Sequence, residues 1–146
     1  MDSYIKKVVN LKCEYVDADP YDIDNQRIFL NFGHTVGHAI ELSSSEKIRH
    51  GEAVGLGMVA MSKWSEMEGL SETGTAGIIQ DMLERAGLPT NIEHFNIDKA
   101  SFFEALQKDK KWTSQGLNVV YPKAIGDFEI SNLTNPPAEK WLDLIS

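Results

Sequence analysis

The sequence predicts a mainly α chain with a small β-hairpin near 117–130. Three observations carry that expectation. Apolar residues recur at helical spacing through most of the chain. Gly and Pro punctuate it at intervals suited to helix ends, as at Gly69, Gly87 and Pro89. Only 117–121 and 128–130, on either side of Gly126, read as paired strands. At 146 residues, 42% hydrophobic and 25% charged, residues 1–146 are expected to form a single helical domain.

The elements follow in order. Tyr4, Ile5, Val8, Val9 and Leu11 predict a helix over 2–12. The acidic stretch 14–26, broken by Pro20, predicts a loop. Helices are expected over 27–43, 51–68 and 72–86, the last stopped by Gly87 and Pro89. A further helix is expected over 97–108, with Asp98 as its N-cap. A short helix with proline at its start closes the chain over 137–145.

Composition excludes several functions. The net charge of −8 argues against a nucleic-acid partner, which asks for a basic excess. An anionic ligand would have to be held by a few local cations, because the overall field repels it. The uncharged run 53–62 is too short for a bilayer, so no membrane partner is expected. The N-terminus has no apolar core or cleavage site of a signal peptide. A lone cysteine, Cys13, precludes an intrachain disulfide and fits a reducing, cytoplasmic setting. Nothing matches G-x-G-x-x-G or a P-loop, so the usual cradle for a dinucleotide is not expected in this chain.

Chemistry concentrates on one stretch. Arg27, Asn31, His34 and His38 lie four, three and four residues apart. On a continuous α-helix they fall within about 60° of one another. Ile28, Phe29, Phe32, Val36, Ala39 and Ile40 make the opposite, apolar face. Gly33 and Gly37 flank the polar line. Each costs a helix about 1 kcal/mol relative to alanine, which implies a close approach by another helix or a ligand. Histidines four apart can converge on one divalent metal; a pair of surface or hydrogen-bonded histidines fits the same spacing.

His50 opens the next helix, whose first half (Val54, Leu56, Met58, Val59, Ala60, Met61) is nearly all apolar and expected to be buried. The positive end of the helix dipole favours a neutral ring there, the form that ligates metal. A simple polar helix start is the other reading of His50. Glu52, in the first turn, reads first as a helix cap. Antiparallel packing brings His50 beside His34 only if the link 44–49 folds back.

The block Leu30-Asn31-Phe32-Gly33-His34-Thr35-Val36-Gly37-His38-Ala39-Ile40-Glu41, followed by His50-Gly51-Glu52-Ala53-Val54, resembles the signature of the 3-dehydroquinate synthases. Gly87-Leu88-Pro89, Asp109-Lys110-Lys111 and Ile125-Gly126 resemble it too. The resemblance runs over nearly the whole chain, but only over the family's C-terminal, mainly helical domain. It implies the helical C-terminal domain of the dehydroquinate synthase-like fold. It also implies a reaction: 3-deoxy-arabino-heptulosonate 7-phosphate to 3-dehydroquinate and phosphate, in the shikimate pathway of aromatic amino-acid biosynthesis.

The cofactors so implied are Zn2+ (or Co2+), with NAD held mainly by an N-terminal α/β domain. By motif match, His34 and His50 correspond to zinc ligands and His38 to a catalytic histidine beside the substrate. Arg27 and Asn31 correspond to substrate contacts, as does Lys111 or its neighbour Lys110, with Lys12 a further candidate. Asp22 or Asp24 stands in for an acid of the family, or else belongs to an exposed acidic loop. The family's third ligand, a glutamate in an Ala-Glu-x-x-Lys helix, has no counterpart in this sequence. The expectation is therefore the C-terminal half of a two-domain enzyme, inactive alone, partnered by its NAD-binding domain and by a second copy in a homodimer. Competing readings are another sugar-phosphate cyclase, such as a 2-deoxy-scyllo-inosose synthase, and a non-catalytic helical interaction domain.

Overall fold

Helix α3, His50–Met67, is the axis around which the larger part of the chain is built. Its first half has almost no polar face, and burial is the only stable answer to that pattern. Ala53, Leu56, Val59 and Ala60 are fully shielded from solvent, and burial continues through Ser62, Trp64 and Ser65. A computed structural model describes residues 2–18, 20–21, 26–109 and 112–146. The chain divides into two compact units, Met1–Asn31 and Phe32–Ser146.

In the larger unit, α3 is packed by α2 (His34–Ser43), α4 (Thr75–Arg85), α6 (Ala138–Asp143) and a small sheet. Helix α5 (Lys99–Gln107) packs on α2, with Phe102 and Leu106 buried. The predicted N-cap holds: the Asp98 carboxylate accepts from the Ser101 N–H at 2.8 Å. Trp64 stands edge-on to Trp141 at 6.0 Å and to Tyr121 at 6.3 Å, which ties α3 to α6 and the sheet.

The expected hairpin forms, as β2 (Gly116–Ala124) paired antiparallel with β3 (Asp127–Leu133) around Gly126. A third strand that the sequence did not disclose, β1 (Trp112–Thr113), pairs antiparallel with β2. Two residues are too few to show a period of two. Among the described residues no helix is long and apolar enough to cross a membrane.

In the smaller unit, α1 spans Asp2–Ala18, longer than the expected 2–12. Its acidic end was expected to be loop. It stays helical through Ala18, with Tyr15 and Val16 half-buried while 5–14 are exposed, and Pro20 follows in a turn. A 3₁₀-helix, Gln26–Asn31, ends this unit.

The helix expected over 27–43 is therefore two elements. Gly33 lies between them with φ of 78°, a left-handed conformation that ends a helix. In a 3₁₀-helix, residues four apart point about 120° away from each other. Arg27 and Asn31 thus do not share one line, and the four-residue stripe does not exist as a continuous helical face. What survives is His34 and His38, one α-helical turn apart on α2.

Candidate functional site

Glycines set the distance between the two helices that carry the histidines. A Cβ built on Gly33 would stand 2.7 Å from the Met58 backbone nitrogen, and one on Gly37 would stand 2.8 Å from the Val54 Cα. From the other side, a Cβ on Gly57 would collide with the Gly33 carbonyl. So the close approach implied by Gly33 and Gly37 is to α3, and it needs a third glycine to answer it. Gly33 meets 57–58 while Gly37 meets 53–54, so α2 and α3 run antiparallel. The link 44–49 folds back, fastened by Ser45 N–H to Asn96 O at 3.1 Å and by Asp98 N–H to Ser43 O at 3.0 Å.

That packing gathers three imidazoles. Ring centres lie 5.6 Å apart for His34 and His38, 5.5 Å for His34 and His50, and 5.4 Å for His38 and His50. The triangle is nearly equilateral and opens to solvent, with His38 and His50 exposed and His34 half-buried.

Two of the rings have a nitrogen already committed. His34 Nδ1 lies 3.3 Å from the Phe32 carbonyl oxygen. His50 Nδ1 lies 3.0 Å from Glu41 Oε2. A carbonyl and an ionised carboxylate can only accept, so each Nδ1 carries the hydrogen in these bonds. For His50 this turns the Nε2 lone pair toward a ligand. Metal-binding histidines show this pattern: one nitrogen held by a backbone carbonyl or carboxylate, the other offered to the ion.

Two imidazoles on one tetrahedral zinc, with Zn–N of about 2.0–2.1 Å, have ring centres roughly 5 Å apart. The donor types and the spacing of His34 and His50 fit such an ion. The set is incomplete, because among the described residues no group of three or more His, Cys, Asp or Glu side chains is arranged to hold a metal. Catalytic zinc normally takes three protein ligands.

The other candidates fall elsewhere. Arg27 and Asn31 sit half-buried on the 3₁₀-helix of the smaller unit, and Lys12 is exposed on α1. Lys110, Lys111, Asp22 and Asp24 lie outside the described residues. Glu52 takes its capping role: its carboxylate accepts from the Arg49 N–H at 2.9 Å, closing the start of α3. Glu41 is the residue that sequence reasoning passed over. It lies seven residues after His34, which on an α-helix puts it within about 20° of the same direction.

The profile of the 3-dehydroquinate synthase C-terminal family matches residues 1–112. A 3-dehydroquinate synthase of Streptococcus pneumoniae is 38% identical over 130 residues, which are 88% of this chain and 36% of that protein. One of Clostridium perfringens is 42% identical over 132 residues, 89% of this chain and 37% of that protein. The chain thus spans little more than a third of the length of these relatives.

Among solved structures, a 2-deoxy-scyllo-inosose synthase complexed with carbaglucose-6-phosphate, NAD+ and Co2+ superposes with a TM-score of 0.65 at 26% identity. It covers 77% of this chain and 31% of that one. A 2-epi-5-epi-valiolone synthase from Streptomyces hygroscopicus, with NAD+ and Zn2+ bound, superposes over 97% of this chain and 38% of that one, with a TM-score of 0.75. At 19% identity it bears on the fold alone.

Proposed function

Because the chain belongs to the 3-dehydroquinate synthase C-terminal family, we propose that it supplies the metal- and substrate-binding part of a 3-dehydroquinate synthase. That enzyme would be a lyase turning 3-deoxy-arabino-heptulosonate 7-phosphate into 3-dehydroquinate and phosphate, in the shikimate pathway. The observation that carries the reading is the triangle of imidazoles, each pair within 5.6 Å. The 38% and 42% identities to named 3-dehydroquinate synthases support it.

In this reading His34 and His50 would hold Zn2+ or Co2+. The bound ion supplies acidification of a substrate hydroxyl and polarisation of a carbonyl. His38, third in the triangle and exposed to solvent, touches the substrate and exchanges a proton with one of its oxygens. Arg27, Asn31, Lys12 and one of Lys110 and Lys111 grip phosphate and carboxylate by charge-assisted hydrogen bonds. With a net charge of −8, such local cations are what an anionic substrate requires. NAD belongs to an α/β domain of the complete enzyme, with which residues 1–146 act as one helical half. A homodimer and a cytoplasmic setting complete the proposal.

Calorimetric titration of Zn2+ or Co2+ tests it. Affinity should fall in His34→Ala and in His50→Ala and be largely kept in His38→Ala. Affinity independent of His34 and His50 would leave only a helical interaction domain. A second cyclase reading is favoured by the likeness to 2-deoxy-scyllo-inosose synthase, at 26% identity. Product analysis of the enzyme containing this chain separates the two.

A further inference from the structure

Glu41 has no part in the substrate or metal roles assigned above, yet its carboxylate is the partner of the His50 ring. It sits near the end of α2, while His50 is the first residue of α3. The link 44–49 joins them, and the two side chains meet at 3.0 Å between Oε2 and Nδ1. Nine residues apart in sequence, they are brought together by the same antiparallel packing that builds the histidine triangle.

We propose that Glu41 is a positioning residue: it fixes the His50 ring with its proton on Nδ1 and thereby presents Nε2 to a divalent cation. The proposal rests on His50 being a metal ligand, as read above. Three features of the contact support it. The carboxylate, as an acceptor, dictates which ring nitrogen carries the hydrogen. A hydrogen bond to the far nitrogen also restricts rotation of the ring about χ2 and raises the donor strength of the near one. His50 needs such a restraint more than His34 does, because its side chain is 53% exposed and opens onto solvent, with Glu41 itself 37% exposed. His34 is half-buried and has the Phe32 carbonyl beside its Nδ1.

Glu41 and His50 also lie on different helices. Their bond therefore couples ring orientation to the α2–α3 spacing, so the ligand is aimed only when the helices are in register. A structural ion pair alone would hold His50 as an imidazolium, with both ring nitrogens protonated and neither left for a metal.

Two readouts on the full chain test this. In the metal-free protein, long-range 1H–15N correlation spectra of the histidine rings report the tautomer directly. His50 should carry its proton on Nδ1 in the wild type and lose that preference in Glu41→Ala. Affinity for Zn2+ or Co2+, measured by calorimetry, should fall 10–100-fold in the same variant, the usual effect of removing such a partner. Glu41→Asp, which withdraws the acceptor by one methylene but keeps the charge, should show the same two changes and carries the test if the alanine variant loses helix content. Glu41→Gln, whose amide oxygen still accepts from Nδ1–H, should keep the tautomer and most of the affinity. Glu46→Ala, which removes an exposed carboxylate of the link, should behave as wild type.

An unchanged His50 tautomer in Glu41→Ala and Glu41→Asp overturns the proposal, and so does unchanged metal affinity. If instead His50→Ala binds metal as the wild type does, the assignment of His50 as a ligand fails. The tautomer measurement, made without metal, keeps these two failures apart.

Discussion

Replacing Gly37 by alanine sets helix propensity against packing, and the structure says which wins. Gly37 lies inside α2, where alanine would ordinarily stabilise the helix by about 1 kcal/mol. The added Cβ, however, would stand 2.8 Å from the Val54 Cα and 2.9 Å from the Ala53 carbonyl oxygen. Both are backbone atoms of α3 and cannot rotate away. Restoring ordinary contact requires the helices to part by roughly 0.7–1.2 Å, against a carbon–carbon optimum of about 3.5–4.0 Å. Overpacking costs about 1–3 kcal/mol, and clashes with backbone that cannot rotate away put it at about 2–3 kcal/mol. The net expectation is a loss of about 1–2 kcal/mol, or about 3–8 °C in Tm for a chain of this size.

The control is Gly77→Ala on α4, where a Cβ meets nothing within 4 Å. That variant should gain up to about 1 kcal/mol from the same propensity term. Urea unfolding monitored by circular dichroism gives both values. Widening the gap also moves His34 and His38 relative to His50, so metal affinity should fall in Gly37→Ala and stay unchanged in Gly77→Ala. A Gly37→Ala chain as stable as wild type, or shifted in the same direction as Gly77→Ala, would refute the claim that the glycines set the spacing.

Other predictions concern caps and core. Glu66 reaches from α3 to the start of α4, accepting from the N–H groups of Gly74 and Ala76 at 2.8 and 2.9 Å. These bonds hold its carboxyl below the usual carboxylate range. A lowered folded pKa means the stabilisation is present above the unfolded value near pH 4 and is lost as pH falls through the folded one. Glu66→Ala should therefore lower Tm at pH 7, by no more than about 1 kcal/mol equivalent given solvent screening, and the difference from wild type should vanish in strong acid. Asp98, lowered by its bonds to the Ser101 hydroxyl and N–H, should behave with the same sign, read as a Tm difference for Asp98→Ala that closes on acidification. Trp141 is fully buried with no partner for its indole N–H among the described residues. Trp141→Ala should cost about 3–5 kcal/mol in denaturant unfolding. Trp141→Phe should cost clearly less, because it also removes an unpaired polar group.

Much of this was legible because burial leaves a strong local trace. The nearly all-apolar run of α3 could only be a buried helix, and it is the core of the larger unit. Asp98 before an apolar-periodic stretch and Gly126 between two strands are local signals with local causes, and both were read correctly. The histidine pair on α2 survived for the same reason. The break at Gly33 did not show, because spacing counted at 100° per residue assumes an α-helix and cannot see a 3₁₀ turn. Gly33 signals a close approach by a helix or a ligand, and the approach is by α3. That its φ of 78° also breaks the helix there leaves no trace in residue spacing. Glu41 was hidden differently. Its spacing from His34 was in plain view, but its role depends on His50 arriving beside it, and the fold of the link 44–49 decides that.

Zinc K-edge X-ray absorption on the chain loaded with one equivalent of zinc probes the proposed metal site at the level of its bonds. Two imidazole nitrogens at about 2.0–2.1 Å are expected, falling to one in His34→Ala and one in His50→Ala. A first shell of oxygen alone, or an imidazole count untouched by either substitution, would contradict the assignment of these two histidines.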